Sequence, residues 1–412
     1  MGKCFSDVVE QALQDIYYDV SSGRGQENFR RLEQASAAGD GDASCILARC
    51  LCGYQYVWEG HGFPEDDDRA IALLHKSVEQ GSAIGVLVAL RTGELTPQLM
   101  ARMPFSGLKE AFDAVVEKAA MGDAFCQYTV GNAYFWWDFL EIQGKGRESF
   151  SSQEAFKAYL KENISKCEDW FWKAFRGGMH YAGNNLNRYY QQGDEDIIAP
   201  QPQKAEGIWR MGAELGYPVH QYIYAKELDK AGNKAEALKW HEKAAASGEK
   251  DSWFYVGLAY EEGKIVPKDS SRAAQCYEKG MKPTGSVGCY NRLGALYFKG
   301  EGVPQDYERG VKLILRAYEE ENNWGCVYLG RAYLYGLGVQ KDYQKAREFL
   351  EKITWNNEEA FYLQGVIYAQ GLGVPADIKK GVEFLKKAGN RADAREELGK
   401  YKKTLFGKWV RR

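Results

Sequence analysis

No stretch of this 412-residue chain reaches the roughly 18 consecutive apolar residues that a membrane-spanning helix needs. The opening residues, MGKCFSDVVEQALQ, hold no apolar core of the kind a secretory signal carries. A charge excess of one sign is also missing: 54 Lys and Arg stand against 57 Asp and Glu, a net charge of -3, so the chain carries no electrostatic footprint of a nucleic-acid binder. Histidine is scarce. The five present (His61, His75, His180, His220 and His241) stand in no metal-binding spacing. There is no Walker A segment, which leaves P-loop nucleotide binding without support. The nine cysteines are odd in number and irregular in spacing, unlike a secreted disulfide framework. These absences point to a reducing compartment, the cytoplasm; a secreted effector without a visible signal peptide is the alternative.

Two things are abundant. Aromatic residues make up 14% of the chain, with 27 Tyr, 18 Phe and 11 Trp, and glycine contributes 45 residues. With no low-complexity run to absorb it, glycine must recur at intervals. It does so in 257-GLAYEEGKIVPKD-269, 294-GALYFKGEGVPQD-306, 330-GRAYLYGLGVQKD-342 and 365-GVIYAQGLGVPAD-377. The leading glycines are 37, 36 and 35 residues apart, the period of a stacked helix-pair array. A mid-helix glycine costs about 1 kcal/mol against alanine, so its recurrence predicts a close helix–helix approach at Gly257, Gly294, Gly330 and Gly365. Gly300, Gly336 and Gly371 stand where a left-handed helix C-cap is expected. Asp269, Asp306, Asp342 and Asp377 stand where the next helix needs an N-cap. The small residues Ala273, Gly310, Ala346 and Gly381 then let the second helix pack tightly on the first. Amphipathic second helices follow, most clearly 237-ALKWHEKAAASGE-249.

This unit resembles the Sel-one-like repeat, a relative of the tetratricopeptide repeat. The resemblance is close over 234–390 and continues upstream in degraded form. There, Gly122 to Gly131 keeps the nine-residue spacing of Gly248 to Gly257 and Gly285 to Gly294; Gly178 to Asn187 holds the frame, and 60-GHGFPEDDDRA-70 supplies a loop and cap. It implies an all-α protein: an α-solenoid, a right-handed superhelix of antiparallel helix pairs with roughly twenty helices and no sheet. Repeats are expected over 1–390, degenerate over 1–233 and regular over 234–390. Residues 391–412 are expected to form a capping helix and basic tail. The helix is placed at 392–405, with Leu398, Tyr401 and Leu405 facing inward. Residues 138–166 are an insertion and 193–203 a long acidic loop, so unit boundaries between 94 and 203 are unsettled by sequence.

Motifs that could carry chemistry have structural explanations. Cys45, Cys50, Cys52 and His61 match no zinc spacing and suit small buried helix residues. The S-x-x-K tetrads at Ser106/Lys109 and Ser247/Lys250 lack the partner motifs of acylating serines. Gly2 and Ser6 fit a myristoylation pattern, for which a plain helix start is the simpler reading. The basic residues Lys402, Lys403, Lys408, Arg411 and Arg412 suit either an anionic partner or a charged end cap. No metal or cofactor is expected, and the chain is not expected to be an enzyme.

The resemblance implies a protein-interaction scaffold or adaptor, often bacterial, that holds a peptide or protein segment in the concave groove of the array. The alternative is an enzyme of unrecognised type with a hydrolase-like site there. With the mid-helix glycine as zero, positions -6, -3, +1 and +4 of each first helix are expected to face the groove. They include Phe125, Tyr128, Asn132 and Phe135, then Tyr181, Asn184 and Arg188, then Tyr222 and Lys226. Phe254 and Leu258, Asn291 and Phe298, Trp324 and Arg331, and Tyr362 complete the set. Aromatic and arginine side chains of this kind are enriched among binding hot spots.

Overall fold

Tandem glycine-centred helices meet their partners at fixed intervals along this chain. The computed structural model describes residues 4–53, 57, 58, 61–194, 196–281, 286–405 and 407–412. Gly2, Gly60 and Gly285, used in the sequence frame, lie outside the described residues. The chain divides into two compact units, Met1–Glu249 and Lys250–Arg412. Among the described residues the regular structure is helical, apart from one two-stranded hairpin and an isolated bridge between Asp194 and Ile198. The expected all-α solenoid of helix pairs is the architecture found.

The second unit holds four pairs: Lys250–Glu262 with Ser270–Gly280, Val287–Lys299 with Tyr307–Glu319, Cys326–Tyr335 with Tyr343–Glu351, and Glu358–Gln370 with Ile378–Lys387. The mid-helix glycines explain why each pair closes. A methyl group on Gly257, Gly294, Gly330 or Gly365 would stand 2.5–2.7 Å from Tyr277, Ile314, Leu350 or Leu385. Each facing side chain lies 20 residues after its glycine. In the first unit Gly131 meets Phe171 in the same way, 40 residues on. The 20 extra residues fall within the inserted stretch 138–166, which carries the helices Phe139–Ile142 and Gln153–Ile164.

The connecting loops close by one repeated device. Asp269, Asp306, Asp342 and Asp377 each accept the backbone N–H three residues later, at 2.9–3.0 Å. Their own N–H groups donate to the carbonyls of the motif tyrosines Tyr260, Tyr297, Tyr333 and Tyr368 at 2.8–3.0 Å. The residue that supplies the capped N–H is always basic. Arg272, Arg309, Lys345 and Lys380 lie over those same tyrosine rings, 3.7–5.4 Å from the centroids. Loop, cap and aromatic face are thereby locked together in all four repeats of the second unit.

In the first unit the clearest pairs are Gly41–Leu51 with Asp67–Glu79, Ala124–Phe135 with Lys166–Arg176, and Pro218–Lys230 with Lys234–Ala246. The last helix of this set, which opens the regular stretch in the sequence, therefore packs within the first unit. The helix Asp7–Leu13 runs into a π turn over Gln14–Tyr18, and Tyr17 is fully buried. Its ring meets Phe125 edge-on at 5.1 Å and Tyr181 at 6.1 Å. Asp15, also fully buried, is held by Arg24, Gln11 and Asn28. Burial pushes its carboxyl up, but those hydrogen bonds win and lower it.

The expected capping helix over 392–405 is shorter than its pattern suggested. It spans Ala392–Gly399, and the chain then turns into a hairpin, Tyr401–Lys403 paired antiparallel with Trp409–Arg411. Tyr401 is buried as expected and donates to Glu397 at 3.1 Å, and Leu398 is partly buried. Leu405 is 100% exposed at the hairpin turn. Gly399 weakens the helix, and the turn Thr404–Lys408 closes with Gly407 at φ +80, a conformation few other residues adopt.

Candidate functional site

In the first unit, four successive first helices place one residue each around a shared depression. Arg49, Arg91 and Asn132 lie nine residues after the N-caps Asp40, Ser82 and Asp123, and Arg188 takes the same place after Met179. That is the +1 position of the repeat frame. All four line a depression of 580 Å³, with Tyr128, Trp136 and Asn185 among its other walls. A second depression of 460 Å³ shares Trp136 and Arg188 and extends to Trp137, Gln192 and Asp194.

Each arginine is held differently. Arg49 is 8% exposed, donates to Tyr17 Oη at 3.1 Å and lies over the Tyr17 and Phe125 rings. Arg91 forms a two-pronged pair with Asp138. Burial pushes the Asp138 carboxyl above its usual range, with Arg91 pulling it back only in part. Arg188 is exposed and stacks over the Trp136 indole at 4.7 Å. Trp136 itself is 42% exposed. Trp137 is one of two described non-glycine residues in the left-handed region, at φ +68. Its indole N–H donates to Asp194 at 2.8 Å. Strain of about 1 kcal/mol or more is held there by that bond, and strained residues cluster at binding sites. Asn185 donates to Asn132 at 2.7 Å, which leaves one amide donor and one acceptor of the pair without a partner among the described residues.

Of the positions named from the sequence frame, Tyr128, Asn132 and Arg188 line the larger depression. Four other positions do not face out. Phe125 is fully buried beneath Tyr17, because the N-terminal segment covers this stretch of the face. Phe135 is 6% exposed, packed between Phe171 and Tyr189, and adds only a buried wall to the smaller depression. Asn291 is 1% exposed and donates to Asn322 at 2.8 Å. Phe298 is 4% exposed against Tyr307 and Tyr328. These rings and this amide build the pair-to-pair contacts, and the groove assignment is corrected for them.

The remaining positions are partly buried or exposed. Tyr181 lies under Tyr17, and Asn184 contacts His220 Nε2 at 3.2 Å. Lys226 lies over Tyr222, 5.1 Å from its centroid. In the second unit, Phe254 packs beside Gly288, and Leu258 is partly buried. Trp324 is exposed and carries Arg292 on its face at 4.4 Å. Arg331 pairs with Glu359 at 2.9 Å, and Tyr362 lies beneath Arg391.

The buried histidines are structural. His180 Nδ1–H donates to the Tyr17 carbonyl at 3.0 Å, and burial lowers its pKa to about 4. His220 is fully buried beside Trp209, Phe175 and Tyr217, and burial holds it well below its ordinary value. Burial pushes the Cys45 thiol up to about 12, so it is not a nucleophile. Among the described residues no group of three or more His, Cys, Asp or Glu could hold a metal ion. No described helix is long and apolar enough to cross a membrane. The sequence reading missed Arg49, Arg91, Trp136 and Asn185. Counting nine residues from the caps Asp40 and Ser82 would have found both arginines.

Known proteins agree with this frame. The Sel1 repeat family model matches residues 46–82, 176–217, 222–249, 254–280, 288–322, 325–353 and 360–393, more than half of the chain. Cytochrome c oxidase assembly factor 7A of Xenopus laevis is 25% identical over 222 residues, 49% of this chain and 88% of its own length. A Sel1-repeat-containing protein of Escherichia coli strain K12 is 26% identical over 153 residues, 34% of this chain and 62% of its own. The solved structure of a protective antigen of uropathogenic Escherichia coli, described as displaying an SLR fold, aligns over 90% of this chain and 89% of its own, with 20% identity and a TM-score of 0.49. A Sel1 repeat protein from Oxalobacter formigenes aligns over 66% of this chain and 96% of its own, with 24% identity and a TM-score of 0.42. The matched segments fall on helix pairs and leave out 83–175, which holds Ala83–Thr92 with Leu108–Ala120 and the interrupted pair Ala124–Phe135 with Lys166–Arg176; in sequence and in helix-pair frame alike, this chain belongs to the Sel1-repeat family.

Proposed function

We propose that this chain is an interaction scaffold that holds a segment of a partner protein along the row of +1 positions on its first helices. Sel1-repeat proteins are typically protein-interaction scaffolds. The relative named as an oxidase assembly factor is in keeping with such a role. The observation that carries the reading is the depression itself. Four successive first helices converge on it, and the exposed Trp136 and Arg188, in cation–π contact, are among its walls. Indole and guanidinium groups offer large contact area at low entropic cost, the usual make-up of a hot spot.

The hydrolase alternative gains nothing from the same lining. Among the described lining residues there is no histidine, cysteine, serine or carboxylate, and the hydroxyls are Thr92, Thr129 and Tyr128. A nucleophile there would have no base within the pocket.

The test is affinity capture from the native cell with the full chain as bait, followed by titration of the captured protein. Arg188→Ala, Lys226→Ala, Arg331→Ala and Trp324→Ala are compared with the parent, singly and together, alongside Trp136→Ala. Loss of a true hot spot weakens binding by about 2 kcal/mol or more. If every variant folds and binds as the parent does, neither the first-unit row nor Trp324 and Arg331 of the second unit is the functional surface.

A further inference from the structure

Charge in the trough is locally one-sided although the chain is not. The larger depression is lined by Arg49, Arg91 and Arg188 and, among the described residues, by no carboxylate, in a chain whose net charge is -3. Arg91 is neutralised by Asp138, and Arg49 is committed to Tyr17. Arg188 forms no ion pair with any described residue. Its guanidinium carbon lies 4.7 Å from the Trp136 ring centroid, a cation–π contact that leaves its N–H groups without a carboxylate among the described residues. A guanidinium already resting on an aromatic ring loses less freedom on pairing with a carboxylate.

The second half of the site is the amide pair. One bond joins Asn185 to Asn132, so whichever way the two amides are turned, one NH₂ group and one carbonyl remain for a ligand. A donor and an acceptor side by side complement the C=O and N–H of an extended backbone. The adjoining depression continues past Trp136 to Gln192, so a chain can run on rather than end.

We propose that this trough takes an extended peptide segment bearing an aspartate or glutamate, its carboxylate on Arg188 and its backbone on the Asn132–Asn185 pair. The inference rests on the scaffold reading and adds the chemistry of the partner. Asp194 at the far end, already bonded to Trp137, disfavours a second acidic residue there and sets the direction of charge along the segment.

The experiment is selection of a phage-displayed random twelve-residue peptide library on the full chain. Enriched sequences are then made as synthetic peptides and titrated against the parent, Arg188→Gln, Asn132→Ala and Trp136→Leu. Arg188 and Trp136 are exposed, so these variants are expected to keep the parent's circular dichroism. The expected result is a consensus with one fixed Asp or Glu. Its amide version and the Arg188→Gln variant each bind about tenfold more weakly, and the salt dependence of binding flattens in Arg188→Gln. Peptides that need Trp136 but share no acidic residue would overturn the inference and leave the scaffold reading standing. Enriched peptides indifferent to Trp136, Asn132 and Arg188 would overturn both. Self-association of the parent that Arg188→Gln abolishes would assign the trough to a second copy and overturn the peptide proposal.

Discussion

Replacing Gly381 with alanine tests the packing logic of the repeat, because two effects of opposite sign compete there. Gly381 lies in the helix Ile378–Lys387, where alanine would normally gain up to about 1 kcal/mol in helix propensity. The added methyl would stand 2.5 Å from the Ala369 backbone nitrogen and 2.7 Å from its Cα. Ordinary contact needs about 3.5 Å, so the two helices must separate by about 1 Å. A side chain could rotate away, but the Ala369 backbone cannot. Separation strips contacts from Val382 and Leu385, both 1% exposed in the core beneath. Overpacking of this kind costs about 1–3 kcal/mol, which exceeds the propensity gain. The net loss is expected to be about 1–2 kcal/mol, a fall in melting temperature of roughly 2–4 °C per kcal/mol. Gly399 is the control: a methyl there meets nothing within 4 Å, and Gly399→Ala is expected to be neutral or slightly stabilising. Thermal and urea unfolding of the full chain, followed by circular dichroism, reads both. Equal shifts of the same sign for the two variants would refute the claim that close helix approach selects the glycine.

Further outcomes concern the first unit and the C-terminal hairpin. Folding lowers the pKa of His180 from about 6.5 to about 4, so between those values the unfolded chain holds a proton that the folded chain lacks. Its contribution is present above pH 6.5 and falls as the pH drops through that window, by about 2 kcal/mol at pH 5. His180→Asn keeps a donor near the Tyr17 carbonyl and removes the titration, so its stability should fall less than the parent's between pH 7.5 and 5; equal losses would contradict the assignment. Tyr401→Ala empties a buried site and should cost about 3 kcal/mol in urea unfolding. Leu405→Ser, at a fully exposed turn, should change stability by less than about 0.5 kcal/mol.

Local and periodic features were readable from the sequence. The N-caps, the left-handed caps at Gly300, Gly336 and Gly371, and the glycine–partner contacts all follow from residues within one repeat length. The insertion at 138–166 was also readable, because the frame resumes beyond it. Long-range features were not. Nothing near Tyr17 signals that it will lie against Phe125 and Tyr181, more than a hundred residues away. Its burial therefore overturned Phe125 as a groove residue. The burial of Phe135, Asn291 and Phe298 likewise depends on neighbouring pairs, which one helical face cannot reveal. The basic residue three places after each cap aspartate was visible throughout, and its stacking on the motif tyrosine is a regularity that helical periodicity alone does not expose. At the C-terminus the helical spacing of Leu398, Tyr401 and Leu405 outran the helix, because Gly399 and the turn at Gly407 favour a hairpin.

Hydrogen exchange of the full chain with and without its captured partner tests the central claim most directly. A partner held on the +1 row should slow exchange in Ala124–Trp136 and Tyr181–Gln192, and Arg188→Ala with Trp136→Ala should abolish that protection. Protection confined to the outer second helices, or unchanged in the double variant, would contradict the account.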